Sequence, residues 1–173
     1  GYEAEKAIAA GFAPEDILLT SQQIPGNLKQ LVEKGTQYNA TSLRQLEGYG
    51  DMFGNKSEPA NLTVRINPGI GSGHSVKVNV GGISSSFGIW HEYIPQVFEI
   101  AKTKGLSITR LHTHIGAGTD PKVWQQAAKI SLELVRQFPD VKTLNLGGGF
   151  KVARVEGEQS ADMAEIGAML ESE

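Results

Sequence analysis

The chain has 173 residues, of which 39% are hydrophobic, and a formal net charge of −3. This length suits one globular domain or part of one, and the slight acidity excludes the strongly basic surface that is typical of nucleic-acid-binding domains. The sequence contains no cysteine, which excludes disulfide bonds and thiolate metal sites. No apolar run reaches the length of a membrane span, and we therefore expect a cytoplasmic enzyme.

Helix and strand patterns alternate from the start of the chain. A helix-favouring stretch over residues 3–11 precedes a short apolar run at residues 17–20, which is typical of a buried strand. Pro25 predicts the start of a second helix that ends at Gly35. Residues 38–40 are the next strand candidate.

The third predicted helix carries a start signal, because Ser42 and Gln45 have the spacing of a capping box. This helix is expected to end at Gly50, and residues 51–61 are expected to form a polar loop. The β-branched residues that follow predict a strand over residues 62–66.

The segment 69–88 is rich in glycine and serine, which predicts a long irregular loop with one further strand candidate at residues 76–80. Loops of this length in compact domains are usually functional. Apolar residues at helical spacing then predict an amphipathic helix from residue 94 to about Gly105.

Two strands of the second half end in glycine-rich turns. The strand that begins at residue 106 leads into His112 and His114, which are expected to point to the same face because strand side chains alternate. The strand at residues 142–146 ends in glycines 147–149. Bare backbone N–H groups are therefore expected at the mouth of an α/β sheet or barrel, where anionic cofactors bind.

Two more helices complete the pattern. Asp120 and Pro121 predict a helix start, and apolar residues at helical spacing continue to Phe138, whereas the last helix is predicted from Ala161 onward. The chain thus holds about five strand–helix units in strict alternation, which indicates parallel strands. Since a closed barrel needs eight such units, the pattern predicts most of a (β/α) barrel or an open doubly wound sheet.

Four motifs, in this order, resemble those of the alanine-racemase-fold decarboxylases, which are pyridoxal-phosphate enzymes, and most of all the diaminopimelate decarboxylases. The motifs are RINPG at 65–69, SSFG at 85–88, HTHIGAG at 112–118 and LNLGGGF at 144–150. The resemblance implies an incomplete (β/α)8 TIM barrel. Residues 1–173 would be the central part of the pyridoxal-phosphate-binding domain, and the N-terminal strands and a C-terminal β-domain would lie outside them.

The resemblance also implies roles for particular residues. His114 would stack on the pyridine face of pyridoxal 5′-phosphate, and Arg65 would lie beneath the ring, so both are candidate catalytic residues. Gly116 and glycines 147–149 would bind the cofactor, with the triplet offering N–H groups to its phosphate. Glycine lets a backbone approach a dianion closely, and a buried guanidinium must face a carboxylate or a ligand.

The chain departs from the family in what it lacks. The lysine that forms the Schiff base has no counterpart here, and neither does the glutamate that pairs with the pyridine nitrogen; Lys151 lies outside the lysine motif. We therefore expect residues 1–173 alone to be inactive, whereas the full-length homodimer would convert meso-diaminopimelate to L-lysine. Alternatives are a decarboxylase of the ornithine, arginine or carboxynorspermidine type, a catalytically inactive regulatory relative, and a barrel that binds another phosphorylated ligand.

Each candidate residue also has a structural interpretation. His114 could be a satisfied structural histidine, Arg65 could pair with a core acid, and the glycine triplet could be only a tight turn. His112 is expected to be structural; with His114 it could bind a metal, but no third ligand is evident, so no metal site is predicted.

Overall fold

The computed structural model describes residues 1–69, 87–114 and 119–172 of the chain. Within these residues there are six strands: β1 (Leu18–Thr20), β2 (Gln37–Ala40), β3 (Ala60–Asn67), β4 (Ile89–Trp90), β5 (Leu106–His112) and β6 (Thr143–Asn145). The α-helices of the same residues are α1 (Tyr2–Ala9), α2 (Leu28–Glu33), α3 (Leu43–Phe53), α4 (Ile94–Lys104), α5 (Pro121–Val135) and α6 (Met163–Glu171). The predicted alternation of five strand–helix units is confirmed.

The strands form one parallel sheet in the order β1-β2-β3-β5-β6, and the short β4 pairs with the end of β3. Arg65 on β3 lies opposite His112 on β5, which in turn lies opposite Asn145 on β6. Because all pairings are parallel, the carboxyl ends of the strands share one edge of the sheet. This edge is the mouth at which the site is built.

An irregularity in β5 decides which of its side chains face the mouth. Leu62 pairs with Ile108, but the next residue, Thr63, pairs with Arg110, so that Thr109 is an extra residue between them. A bulge of this kind shifts the alternation of side chains by one residue. As a result, Ile108 faces the helices in the first half of β5, whereas His112 shares the opposite face with Arg65.

One face of the sheet packs against the helices and forms the hydrophobic core. Val64, Ile66 and Leu111 contribute from the strands, and each is at most 1% exposed. The helices contribute further buried side chains to the same cluster, among them Leu28, Leu31, Leu46, Tyr49, Val97, Ala101 and Leu134. This packing fixes the strands and therefore the positions of the residues on the other face.

The other face of the sheet is polar near the mouth. The pairs Thr20–Asn39 and Asn39–Thr63 lie on this side, as do the pairs Arg65–His112 and His112–Asn145. Asn39 is fully buried, and Arg65 and His112 are each 7% exposed. Thr20 and Asn145, at the two ends of the row, are exposed. The buried polar groups between them cost stability unless they are hydrogen-bonded or serve a ligand, which makes this row the candidate site.

Several helix boundaries differ from the prediction, among them the end of α5, which is Val135 rather than Phe138, and the start of α6, which is Met163 rather than Ala161. α2 begins at Leu28 rather than at Pro25, because the carbonyl of Pro25 accepts a turn hydrogen bond from the N–H of Leu28. α3 continues beyond Gly50 to Phe53. Gly50 serves close packing rather than helix termination, since a Cβ there would lie 2.6 Å from the Cβ of Lys104.

Only half of the predicted capping box is present. The side chain of Ser42 accepts a hydrogen bond from the N–H of Gln45 at 3.2 Å, as expected. The Gln45 amide oxygen instead accepts from the N–H of Thr41 at 2.7 Å, and its nitrogen donates to the carbonyl of Ser21. Gln45 thus ties the start of α3 to the end of β1.

Other local signals are confirmed. Asp120 caps α5 by accepting from the N–H of Lys122, and Gly105 ends α4 with φ +69°. The strand candidate at residues 76–80 lies outside the described residues. No helix in the described part of the chain is both long enough and apolar enough to cross a bilayer.

Candidate active site

His114 and the glycine triplet meet at the mouth of the sheet. His114 follows the end of β5, and Gly147 follows the end of the neighbouring strand β6. A Cβ added to Gly147 would lie 2.8 Å from Cγ of the His114 ring and 2.9 Å from its Nδ1. Only a residue without a side chain can therefore stand against this imidazole.

The turn after β6 is organised by Asn145. Its Oδ1 accepts a hydrogen bond from the N–H of Gly147 at 2.8 Å, and Gly147 adopts φ +80°. The N–H of Gly147 is thereby already engaged. Among the residues that the structure describes, no hydrogen bond occupies the N–H of Gly148 or of Gly149, so these two groups are the ones available to an anion.

Helix α5 packs against the residues that flank His114 and the glycine triplet. Trp124 is fully buried, and its ring stacks on Phe150, the residue after the triplet, with ring centroids 4.1 Å apart. Thr113, directly before His114, exchanges a hydrogen bond with Ser131 of α5 at 2.7 Å. Both sides of the contact between His114 and Gly147 are therefore anchored to one helix.

Arg65 is enclosed by residues of the second motif. Its guanidinium carbon lies 5.2 Å from the centroid of the Phe87 ring, which is within the range of a cation–π interaction. A Cβ added to Gly88, whose φ is +88°, would lie 3.3 Å from Cγ of Arg65. The side chain of Arg65 thus lies close to both the Phe87 ring and the Gly88 backbone.

His112 is held by the neighbouring amide of Asn39. Nδ2 of Asn39 lies 2.7 Å from Nδ1 of His112 and donates to Oγ1 of Thr20 at 3.0 Å. The rings of His112 and His114 meet edge to face, with centroids 6.4 Å apart. A polar network therefore crosses the interior from β1 to the end of β5.

Burial and a neighbouring cation keep both imidazoles neutral. Burial first, and then the charge of Arg65 and the interaction with His114, together lower the pKa of His112 to about 3. The pKa of His114 is lowered by burial and then by Arg65. Burial also lowers the pKa of Arg65, but a guanidinium stays protonated in proteins. At neutral pH the site therefore presents neutral rings beside a fixed cation.

The structure thus brings together the predicted residues Arg65, His114, Gly147, Gly148 and Gly149, and the motifs they belong to converge on one edge. Gly116 lies outside the described residues. The described residues contain no group of three histidine, aspartate or glutamate side chains that could hold a metal ion.

Reasoning from the sequence missed the two asparagines that organise the site. Asn145 had a readable signal, because asparagine two residues before glycine is typical of an Asx turn. The same turn recurs after β3, where Asn67 accepts from the N–H of Gly69 at 3.0 Å. Asn39 had no such signal, since its contact with His112 joins residues 73 positions apart.

The comparison with known families agrees with this geometry. The whole chain, residues 1–173, matches the pyridoxal-binding domain of the pyridoxal-dependent decarboxylases. The chain belongs to this family. Its members are lyases that use pyridoxal phosphate, and the matched domain is the one that binds the cofactor.

Curated relatives of this decarboxylase domain include two diaminopimelate decarboxylases. The protein from Escherichia coli K12 is 33% identical over 166 residues, which are 92% of this chain and 39% of the relative. The protein from Streptomyces coelicolor is 34% identical over 166 residues, which are 92% of this chain and 37% of the relative. The decarboxylase domain described here therefore spans well under half the length of these relatives.

Solved structures confirm the α/β fold. A crystal structure of diaminopimelate decarboxylase matches with a TM-score of 0.86 at 30% identity and covers 99% of this chain and 41% of that one. The arginine decarboxylase of Paramecium bursaria Chlorella virus matches with a TM-score of 0.74 at 21% identity, over 99% of this chain and 45% of that one. The decarboxylase domain thus has five strand–helix units of an incomplete barrel of the alanine-racemase type.

Proposed function

We propose that the full-length protein is a pyridoxal-phosphate-dependent decarboxylase that converts meso-diaminopimelate to L-lysine. The observation that carries this proposal is the contact between His114 and Gly147. It brings a flat neutral ring and a glycine turn of the kind that binds phosphate together at one edge of the sheet. The named substrate is that of relatives at 33% and 34% identity.

The residues present fit pyridoxal phosphate. Gly147 packs closely against the His114 ring and brings the glycine turn beside it, and open space surrounds Gly148, where an added Cβ would meet no atom within 4 Å. The N–H groups of Gly148 and Gly149 would bind the phosphate dianion, and the cation of Arg65 would offset negative charge nearby. These groups match a planar ring that carries a phosphate.

The protein's contribution is orientation and polarity. Bound pyridoxal phosphate supplies the electron sink for loss of the α-carboxylate. His114 would stack on the cofactor ring as a neutral imidazole, so that it supports the ring without adding a second cation beside it. Arg65, fixed between Phe87 and Gly88, would hold its charge in one position below the ring.

The proposal is tested by adding pyridoxal phosphate and then candidate substrates to the full-length protein. We expect a shift in the absorption band of the added cofactor, followed by release of CO2 and lysine from diaminopimelate. Release from ornithine, arginine or carboxynorspermidine instead would assign a related decarboxylase. Cofactor binding without release of CO2 from any of these would favour an inactive regulatory relative, and no binding would favour a different phosphorylated ligand.

Replacing His114 by alanine should weaken pyridoxal phosphate binding by at least about fivefold, since ring stacking contributes about 1 kcal/mol beyond area burial. His114→Phe is the matched control, because it keeps a flat ring without nitrogen atoms. Titration of the cofactor into the full-length variants, followed by absorbance, measures the effect. Equal affinity of the wild-type protein and His114→Ala would contradict a stacking role.

Residues 1–173 alone should not release CO2 from diaminopimelate faster than free pyridoxal phosphate does, because these residues hold no counterpart of the Schiff-base lysine. Measurement of CO2 from the purified segment with added cofactor checks this, and a rate above that of the free cofactor would contradict it. The homodimer and the cytoplasmic location of the full-length protein stay predictions.

A further inference from the structure

The amide of Asn39 links two other strands across the interior of the sheet. Asn39 lies on β2, and its Nδ2 reaches Thr20 on β1 at 3.0 Å and His112 on β5 at 2.7 Å. The Asn39 side chain is fully buried, and His112 is 7% exposed. Two buried polar groups at this distance form a hydrogen bond, in which one group must donate and the other must accept.

The chemistry of the amide decides which ring nitrogen carries the proton. An amide nitrogen can only donate, so Nδ1 of His112 must accept and the ring proton must be on Nε2. The orientation leaves Oδ1 of Asn39 buried without a hydrogen-bond partner among the described residues. The flipped amide would instead place its two N–H donors where Oδ1 now has no partner, and buried orphan donors are rarer than under-satisfied carbonyl oxygens.

Charge around the ring favours the same neutral tautomer. A proton on Nδ1 would point at the amide N–H of Asn39, and protonation of both ring nitrogens would add a second cation beside Arg65. The charges that act on His112 come from Arg65 on β3 and from His114 beyond the end of β5. The neighbouring residues on β2 and β6, Asn39 and Asn145, do not titrate.

We propose that Asn39 is a positioning residue that holds His112 neutral, with its proton on Nε2. His112 therefore offers an N–H donor, and not a cation, next to the ring of His114. The assignment of the His112 tautomer rests on contacts within the chain itself. Only the use of this tautomer in cofactor binding rests on the proposed function.

Nuclear magnetic resonance of the full chain with ¹⁵N-labelled histidine tests the proposal without added cofactor. In the wild-type protein we expect His112 to carry its proton on Nε2 at pH 7 and not to titrate between about pH 5 and 8, the range in which free histidine changes charge. In Asn39→Asp the carboxylate accepts from Nδ1–H. The ring proton should then move to Nδ1, and the apparent pKa of His112 should rise by at least about two units.

Asn61→Asp is the matched control, since it makes the same change on β3 at an exposed residue that does not contact His112. This variant should leave the tautomer of His112 as in the wild type. Should Asn39→Asp not fold, Asn39→Ala serves in its place and is expected to let both tautomers of His112 appear.

A wild-type proton on Nδ1, titration of His112 between pH 5 and 8, or an unchanged ring in Asn39→Asp would each overturn the proposal. Addition of pyridoxal phosphate to the same wild-type sample separates the two hypotheses. The expected tautomer without cofactor binding would overturn the proposed function and support the role of Asn39.

Discussion

Replacing Gly147 by alanine is expected to lower the free energy of unfolding by about 2–4 kcal/mol, from left-handed strain and overpacking together. Gly147 has φ +80°, which L-residues rarely adopt. Its new Cβ would lie 2.8 Å from Cγ of His114, so the imidazole would have to move. Because His114 is the proposed cofactor contact, affinity for pyridoxal phosphate should fall with stability.

Gly148→Ala is the matched control for stability. An added Cβ at Gly148 would meet no atom within 4 Å, and its φ is not in the left-handed region. Urea unfolding of the full-length variants should therefore separate them, with Gly148→Ala within about 0.5 kcal/mol of the wild type. Equal stability of Gly147→Ala and Gly148→Ala would show that His114 and Gly147 are not in tight contact.

Replacing Trp124 by alanine should cost about 3–5 kcal/mol of unfolding free energy, the usual range for deletion of a large buried aromatic side chain. Trp124 lies on α5 and is fully buried, and its ring stacks on that of Phe150 with the centroids 4.1 Å apart. Loss of that stack should also release the glycine turn, so that cofactor affinity falls although Trp124 is not itself a proposed cofactor contact.

Trp124→Phe is the control, because it keeps an aromatic ring against Phe150 and should lose less stability than Trp124→Ala. Urea unfolding gives the free energies, and titration of pyridoxal phosphate gives the affinities. Loss of stability in Trp124→Ala with unchanged cofactor affinity would contradict a role of the stack in holding the turn.

Local sequence signals predicted much of the fold because their causes are local. Asp120 caps α5 and Gly105 ends α4, and in both cases the hydrogen bond or the backbone angle involves residues within one helical turn. The prediction that α3 ends at Gly50 was wrong because the role of this glycine is not local. Its lack of a side chain serves contact with Lys104, 54 positions away in the chain, and such a contact leaves no local pattern.

The candidate site likewise has residues that the sequence motifs identified and contacts that only the tertiary fold creates. The motifs that contain Arg65, His114 and the glycine triplet identified residues that the parallel sheet brings to one edge. The detail within that edge depends on tertiary contacts. Asn145 already occupies the N–H of Gly147, and Asn39 reaches His112 from a strand that is not adjacent to β5.

The extra residue in β5, Thr109, has a consequence for protein engineering. Before Thr109 the even-numbered residues of β5 face the helices, whereas after Thr109 the even-numbered residues face the polar interior. Deletion of Thr109 would leave Leu62 opposite Ile108 and Arg65 opposite His112, so Leu111 would still face the helices and His112 the polar interior. The alternation of β5 can therefore be made regular by removing one residue, without moving the imidazole of His112 to the other face of the sheet.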